Sequence, residues 1–299
     1  MSIIIDTDPG VDDALAIMLA CCAKLNIVGL TTVYGNSTVE NTTQNTLTIL
    51  GVVGKKIPVY KGARRPLNGK GKLANSHGDN GLGGFKLKKL SQKIEKQNAY
   101  QFLVKSLEKN AQSEIICLGP ATNLAKVLKT KPELSKKISC LIILGGVIGE
   151  KGNISPYAEF NAYNDPWALK ILLNAKCSKV LIPINVCRKV YFKEVDFLNL
   201  KKRKYKTSLQ KITKIYIDYY QNNSEYGVFE GGVMYDLLAV SFLLRPTLFK
   251  VRPARVTVCI KGKKTGQTKE ANGQSNCSLI YDVDAEKVKE LFFSTVNAT

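Results

Sequence analysis

A single histidine, His77, is present among the 299 residues, and the eight cysteines include no Cys-x-x-Cys pair. Zinc sites need several clustered imidazole or thiolate ligands, so these absences argue against a zinc enzyme or zinc finger. The cysteines lie mostly in apolar runs. We therefore predict buried thiols in a reducing compartment.

Segments for secretion or membrane insertion are also missing. The opening residues, MSIII, carry no basic region and run directly into Asp6, unlike a signal peptide. No later stretch supplies the roughly 20 apolar residues that a membrane span requires. We expect a soluble, cytoplasmic protein with no membrane partner.

Acidic residues are scarce, with 24 Asp and Glu against 44 Lys and Arg and a formal charge of +20. Such a bias first suggests a polyanionic partner such as nucleic acid. However, the lysines are spread along the chain, and the denser stretches at residues 86–96 and 201–206 are typical of solvated faces. Because Tyr205 alone gives no platform for stacked bases, we predict no specific nucleic-acid partner.

No Gly-, Ser- or Pro-rich linker and no internal repeat divides the sequence. Short β-branched, apolar runs alternate with amphipathic stretches, which predicts βαβ units. The predicted strands are residues 3–6, 27–33, 57–60, 114–118, 138–144 and 179–182. The predicted helices are residues 12–23, 39–51, 99–110, 121–130 and 166–174. We expect one α/β domain over residues 1–299, with an open, mostly parallel sheet flanked by helices.

Polar or glycine-containing turns follow several of these strands, at residues 6–10, 34–36, 118–123 and 145–149. In an open α/β sheet such turns gather at the carboxyl edge of the strands. Ligands bind at that edge, so we expect the functional site there.

Two longer segments are predicted to lie beside this edge. Residues 64–84 are too long for an ordinary connection, and we expect them to cover a site. Residues 201–231 are predicted to form a tyrosine-bearing helix or pair of helices. We interpret Tyr216, Tyr219 and Tyr220 as packing residues, whereas Tyr226 lies beside a flexible glycine.

Four carboxylates fall within eight residues, at positions 6, 8, 12 and 13, between a buried strand and a helix. At the edge of a low-dielectric core they would repel each other severely. The helix N-terminus supplies only about half an elementary charge. A structural interpretation, in which Asp12 caps the helix and Asp6 braces the turn, leaves the other two acids unexplained. The pattern favours a hard divalent cation, Ca²⁺ first and Mg²⁺ second.

Part of this segment also resembles the haloacid-dehalogenase phosphotransferases, which carry D-x-D after the first strand, with the first Asp as nucleophile. In that pattern a Thr or Val stands where this chain has Gly10. A later paired-acid motif then completes the metal site, and we do not find it here. This interpretation is therefore a remote alternative.

A closer resemblance is carried by residues 6–17, DTDPGVDDALAI, which are similar to the signature of the inosine-uridine-preferring nucleoside hydrolases. Four further segments match in the family's order: VYGN at 33–36, LGPATNLA at 118–125, GNISPYAEFN at 152–161 with Asp165 and Pro166 behind it, and MYDLLAV at 234–240. Together they span nearly the whole chain. The resemblance implies a Rossmann-like nucleoside hydrolase fold. It also implies hydrolysis of the N-glycosidic bond of ribonucleosides to ribose and free base, in nucleoside salvage and purine nucleoside catabolism.

The same resemblance implies a set of site residues. Asp8, Asp13, Asp236 and the backbone carbonyl of Leu118 should hold Ca²⁺, with Asp8 also acting as general base. The residues implied to bind the ribose are Asp12, Asn36, Asn153, Glu159 and Asn161, and the predicted substrate-binding residues also include Phe160 and Tyr226. His77 matches a family histidine near the nucleobase. A homodimer or homotetramer is also implied.

One position departs from the pattern. The best-studied branch of the family has a histidine immediately before the last metal-binding Asp, linked with protonating the departing base, and this chain has Tyr235 there. A tyrosine is a weaker acid near neutral pH. Three alternatives stay open: Tyr235 or Tyr226 assists the base, aromatic stacking or solvent-borne protonation replaces an acid, or the chain binds nucleosides with little or no turnover.

Overall fold

A parallel sheet runs through the centre of the computed structural model, which describes residues 1–87, 92–109, 112–223 and 230–299. The strands are β1 (Ser2–Thr7), β2 (Ile27–Thr32), β3 (Val59–Lys61), β4 (Ser113–Cys117), β5 (Ile138–Leu144), β6 (Lys179–Ile182), β7 (Tyr191–Phe192), β8 (Gly232–Val233), β9 (Phe249–Ala254), β10 (Val256–Val258), β11 (Thr268–Glu270) and β12 (Cys277–Val283). Among the described residues, eight of them form one sheet in the order β3-β2-β1-β4-β5-β6-β12-β9. Only β9 in that sheet is antiparallel to its described neighbour. Two further strand pairs, β7 with β8 and β10 with β11, lie outside it.

Helices cover both faces of this sheet. They are α1 (Val11–Cys22), α2 (Val39–Val53), α3 (Ala99–Lys109), α4 (Thr122–Thr130), α5 (Phe160–Asn164), α6 (Pro166–Leu173), α7 (Ile184–Cys187), α8 (Arg203–Asn222), α9 (Leu237–Leu244) and α10 (Ala285–Asn297). Short 3₁₀ turns span Pro132–Lys137, Glu194–Asn199 and Pro246–Leu248. A bilayer-spanning helix, which needs both length and sustained apolarity, is absent from the described ranges.

Alternation along the strands divides the core into two layers. Ile3 and Ile5 of β1 pack in a cluster with residues of α1, α2, α8, α9 and α10. Ile4 points to the opposite face, where residues of α3, α4 and α6 cover the sheet. The runs of apolar residues in β1, β4 and β5 are therefore buried on both sides, as central parallel strands require.

The carboxyl ends of the central strands lie side by side. The N–H of Leu118 donates to Asp6 O at 2.8 Å, and the N–H of Val33 donates to Thr7 O at 3.0 Å. The side chain of Asn123 joins three of these ends, because its Nδ2 donates to Asp6 Oδ1 and Thr32 O while its Oδ1 accepts the N–H of Ala63. This network holds the carboxyl ends of β1 and β2 and the turns after β3 and β4 against one another.

The predicted α/β fold with a mostly parallel sheet flanked by helices is confirmed. The six predicted strands correspond to β1–β6, and each end lies within two residues of its predicted position. The sequence interpretation did not include β9 and β12, which extend the sheet beyond β6.

Candidate active site

Carboxylates from two distant parts of the chain meet at the carboxyl end of β1. Asp12 and Asp13 lie in the first turn of α1, and Asp236 immediately precedes α9. One carboxylate oxygen from each of the three lies within 4.8 Å of the others, and all three residues are buried. This arrangement arises because α1 packs against α9, and its donor set suits a metal ion.

The three acids are held differently. Asp13 accepts hydrogen bonds from the hydroxyl of Thr7 at 2.5 Å, the N–H of Gly10 at 2.9 Å and Asn36 Nδ2 at 3.0 Å. By contrast, Oδ1 of Asp12 and Oδ1 of Asp236 are buried with no hydrogen-bond partner among the described residues. Buried polar atoms without a partner are costly and rare in native proteins. The unpartnered oxygens therefore fit a bound cation.

The pKa values of the clustered acids also fit a bound cation. Burial, followed by the charge of Asp13, raises the pKa of Asp12 above its ordinary value. Burial and then the charges of Asp12 and Asp13 raise the pKa of Asp236. Without a counter-charge these acids would hold protons, whereas a divalent cation would favour their ionised forms.

Asp8 lies beside the cluster, between two glycines. Its Oδ2 accepts the N–H of Asn36 at 2.8 Å. A Cβ added at Gly35 would lie 2.0 Å from Oδ2, and one at Gly119 would lie 2.3 Å from Oδ1. Both positions therefore need glycine if the carboxylate is to keep this place. Burial and the charge of Asp13 raise the pKa of Asp8 well above its usual range.

The opposite wall is formed by residues around the start of α5. Glu159 accepts three backbone N–H groups, from Gly146 at 2.8 Å, Asn161 at 2.6 Å and Ala162 at 2.9 Å. Despite these bonds, burial raises the pKa of Glu159 to about 7. Asn161 Nδ2 in turn donates to Leu118 O at 2.6 Å. The Leu118 carbonyl and the Glu159 carboxylate are thus held in fixed positions at the cleft.

His77, carried by the segment 64–84, lies over the N-terminus of α1. Its Nδ1 accepts the N–H of Val11 at 3.0 Å, and its ring stacks on Tyr216 with the centroids 4.8 Å apart. Burial lowers the pKa of His77 to about 3, so the imidazole is neutral near pH 7. With Nδ1 accepting, its proton lies on Nε2.

These walls enclose a cleft of about 800 Å³, including the space open to solvent. The predicted site residues that line it are Asp8, Asp12, Asn36, His77, Leu118, Asn153, Glu159, Phe160, Asn161, Tyr235 and Asp236. Asp13 is fully buried and not part of this lining. The predicted Tyr226 lies outside the described residues.

The family model of the inosine-uridine preferring nucleoside hydrolases matches residues 3–290. The chain belongs to this family. Uridine nucleosidase 1 of Arabidopsis thaliana is 33% identical over 308 residues, covering 96% of this chain and 90% of that protein. The structure of the plant nucleoside hydrolase PpNRh1 superposes with a TM-score of 0.93 at 30% identity, covering 100% of this chain and 99% of that one. A purine-preferring ribonucleoside hydrolase from Gardnerella vaginalis gives 0.91 at 26% identity, covering 100% and 98%.

As a nucleoside hydrolase, this chain is an enzyme of the ribonucleoside hydrolase class, which confirms the predicted class. The family match favours this interpretation over the phosphotransferase alternative. Nucleoside hydrolases of this family depend on a metal ion, and the acids that could hold one here are Asp12, Asp13 and Asp236. Two of these acids, Asp13 and Asp236, were also predicted as metal ligands. The third predicted acid was Asp8, whereas the third acid of this cluster is Asp12.

Sequence reasoning missed three tyrosines of this nucleoside hydrolase. Tyr216, Tyr219 and Tyr220 of α8 line the same cleft as Tyr235. Tyr216 and Tyr220 are also buried in the core, so the packing interpretation is incomplete. Positions i, i+3 and i+4 share one helix face, and three phenols on one face are the sequence signal that could have indicated a polar wall.

Proposed function

We propose that the chain hydrolyses the N-glycosidic bond of ribonucleosides, with Asp8 as general base and Ca²⁺ at the acidic cluster. The observation that carries this is the meeting of Asp8, Asp12 and Asp236 in the lining of one cleft. Asp8 accepts the proton of a water that attacks the anomeric carbon. The backbone N–H of Asn36 donates a hydrogen bond to the Asp8 carboxylate and holds it in place.

The proposed ligands of the cation are the carboxylates of Asp8, Asp13 and Asp236 and the carbonyl oxygen of Leu118. An all-oxygen set suits Ca²⁺ first and Mg²⁺ second. When bound, the cation would supply a water of lowered pKa and hold the ribose hydroxyls. Leu118 O already accepts Asn161 Nδ2, but a carbonyl has two lone pairs and can serve both.

The ribose is proposed to lie between the acids and the Glu159 wall. As the bond to the base breaks, the sugar gains oxocarbenium character and needs fixed oxygens near it. Glu159 is held by three N–H donors, and Asn153 Oδ1 accepts the N–H of Phe160 at 2.8 Å. These contacts support the proposed ribose-binding roles of Asn153 and Glu159. We propose the same role for Asp12, Asn36 and Asn161, and a substrate-binding role for Phe160, all of which line the cleft.

Activation of the departing base is assigned to hydrogen bonding rather than to an imidazolium. His77 is neutral because of its lowered pKa, so it can donate from Nε2 but has no acidic proton to deliver. Burial raises the pKa of Tyr235 above its ordinary value. We therefore propose that Tyr235 donates a hydrogen bond to the base, with His77 on the same side of the cleft.

The test is release of reducing sugar from inosine, uridine, adenosine and cytidine, with and without a calcium chelator. Ribose that appears only when metal is present would support the proposal and reject the alternative of a binding protein with little turnover. If no ribose is released from any of the four substrates, the enzymatic proposal is wrong.

A glycine substitution tests the placement of Asp8. Gly119→Ala is expected to lower kcat by at least ~10-fold, because the new methyl displaces the Asp8 carboxylate and small displacements of a catalytic group are costly. The matched control is Gly54→Ala at the end of α2, where φ is +71° and an added Cβ meets nothing within 4 Å. That variant should lose roughly 1 kcal/mol of stability and keep its kcat. Equal kcat values in the two variants would contradict the proposed position.

Other features of the proposal rest on the family resemblance. A homodimer or homotetramer, a cytoplasmic location and a role in nucleoside salvage stay predictions. We also propose that residues 1–299 act as one domain, since β1 and β12, from opposite ends of the chain, belong to the same sheet.

A further inference from the structure

Two buried phenols meet in the lining of the cleft. The hydroxyl of Tyr220 donates a hydrogen bond to the hydroxyl of Tyr235 at 3.1 Å. Both side chains are 6% exposed, and both line the cleft. Tyr235 directly precedes Asp236, so its hydroxyl shares the cleft with the acidic cluster.

The direction of this bond determines where the proton of Tyr235 can go. A phenol has one proton to donate and can accept at its oxygen. Because Tyr235 accepts from Tyr220, its own proton lies away from Tyr220, and among the described residues none accepts it. Tyr235 lines the cleft, so its proton can point into that space.

Tyr220 is well placed to fix that direction because its own position is constrained. Its ring packs edge-on against Tyr216 with centroids 4.9 Å apart and against Tyr219 at 5.7 Å. The hydroxyl of Tyr216 donates to Val233 O at 2.8 Å, two residues before Tyr235. Helix α8 is thus tied to the segment that carries Tyr235.

We propose that Tyr220 is a positioning residue that turns the hydroxyl proton of Tyr235 toward the departing nucleobase. The inference rests on the proposed function, since it concerns how that reaction activates its leaving group. In the reaction the hydroxyl of water adds to the anomeric carbon and its proton passes to Asp8. The electron pair of the C–N bond stays with the base, which then takes a proton from solvent, and Asp8 returns its proton to solvent. Tyr235 keeps its proton and stabilises the developing charge by a hydrogen bond.

This role predicts a dependence on the leaving group. A nucleobase departs with negative charge on its ring nitrogens and carbonyl oxygens and gains from a donor. The p-nitrophenolate released from p-nitrophenyl β-D-ribofuranoside is stable without one. Loss of the phenol pair should therefore harm nucleosides more than this synthetic substrate.

The experiment compares Tyr220→Phe, Tyr235→Phe and the double variant on uridine, inosine and p-nitrophenyl riboside. Tyr220→Phe is expected to lower kcat for the nucleosides about 10-fold, with KM little changed, and Tyr235→Phe up to about 100-fold. Hydrolysis of p-nitrophenyl riboside should change less than about 3-fold. The double variant should be no slower than Tyr235→Phe, because Tyr220 acts through Tyr235. Tyr205→Phe, a buried tyrosine of α8 that does not line the cleft, is the control.

The results distinguish a positioning role of Tyr220 from a purely structural one. An equal loss on both kinds of substrate means that Tyr220 has only a structural role, and no loss on either means that Tyr235 is not a donor to the base. A double variant much slower than Tyr235→Phe would also overturn the inference. If the wild-type protein releases nothing from nucleosides or from p-nitrophenyl riboside, the proposed function itself has failed.

Discussion

Replacing Asp8 by Asn is expected to lower kcat by about 10²–10⁴-fold, which is the usual contribution of a general base. The amide has nearly the same size as the carboxylate, so it should fit between Gly35 and Gly119 without a clash. It can still accept the N–H of Asn36, but it cannot take a proton from the attacking water. The measurement is ribose release at saturating nucleoside and saturating Ca²⁺. Asp8→Ala should lose at least as much activity.

Asp6→Asn is the control for this substitution. Asp6 lies two residues earlier and is equally buried, with its Oδ1 accepting from Thr31 and Asn123, and it does not line the cleft. Its pKa is raised by burial to about 6. The Asp6 variant should lose stability rather than kcat. A kcat near that of the wild type in Asp8→Asn would reject Asp8 as the base.

Asp236→Asn is expected to stabilise the metal-free protein and yet abolish its activity. The substitution removes an ionisable group from a buried cluster whose charged members repel each other, and it also removes a proposed ligand. Wild-type protein should gain about 2.7 kcal/mol at a Ca²⁺ concentration 100 times Kd, or roughly 5 °C in Tm. The variant should show little shift. Thermal unfolding with and without Ca²⁺ measures both effects.

The pH dependence of unfolding checks the same electrostatics. Asp12 and Asp236 have pKa values raised in the folded state by burial and by neighbouring acids. Their stabilising protonation is fully present below the ordinary Asp pKa of about 4 and is lost as pH rises toward the raised values. Metal-free protein should therefore lose stability as pH rises above about 4, and bound Ca²⁺ should remove this loss.

An exposed acid gives the matched control for the Asp236 substitution. Asp218 lies on the exposed side of α8 in an ion pair with Lys214, so Asp218→Asn should leave the Ca²⁺-induced shift in Tm unchanged. If Asp236→Asn and the wild type respond equally to Ca²⁺, the acidic cluster is not the calcium site.

The strand, acidic turn and helix at residues 2–22 could be predicted closely, because each signal there is local. A run of β-branched residues ends at an aspartate, and glycine and proline mark the turn. Strand β9 gave no such signal. Its four central residues are exposed, in the pattern of an edge strand with charged side chains, so no apolar run identifies it.

The membership of the acidic cluster could not be derived from the sequence. Asp12 and Asp13 are adjacent on a helix and point about 100° apart, and nothing local determines which of them faces Asp236. That choice depends on how α1 packs against α9, a contact between residues more than two hundred positions apart. The phenols of α8 were missed for a related reason, since one helix face both packs in the core and lines the cleft.

The acids of the cleft and its His77 and tyrosine side chains are carried by different parts of the fold. The acids lie at the end of β1 and at the starts of α1 and α9, whereas His77 and the phenols belong to the segment 64–84 and to α8. If the proposed roles hold, substitutions in the segment 64–84 and in α8 should change nucleobase preference while the acids keep the hydrolytic chemistry. The bond from Val11 N–H to His77 joins the segment 64–84 to the helix that carries Asp12 and Asp13, so an altered residue 77 should disturb selectivity and turnover together.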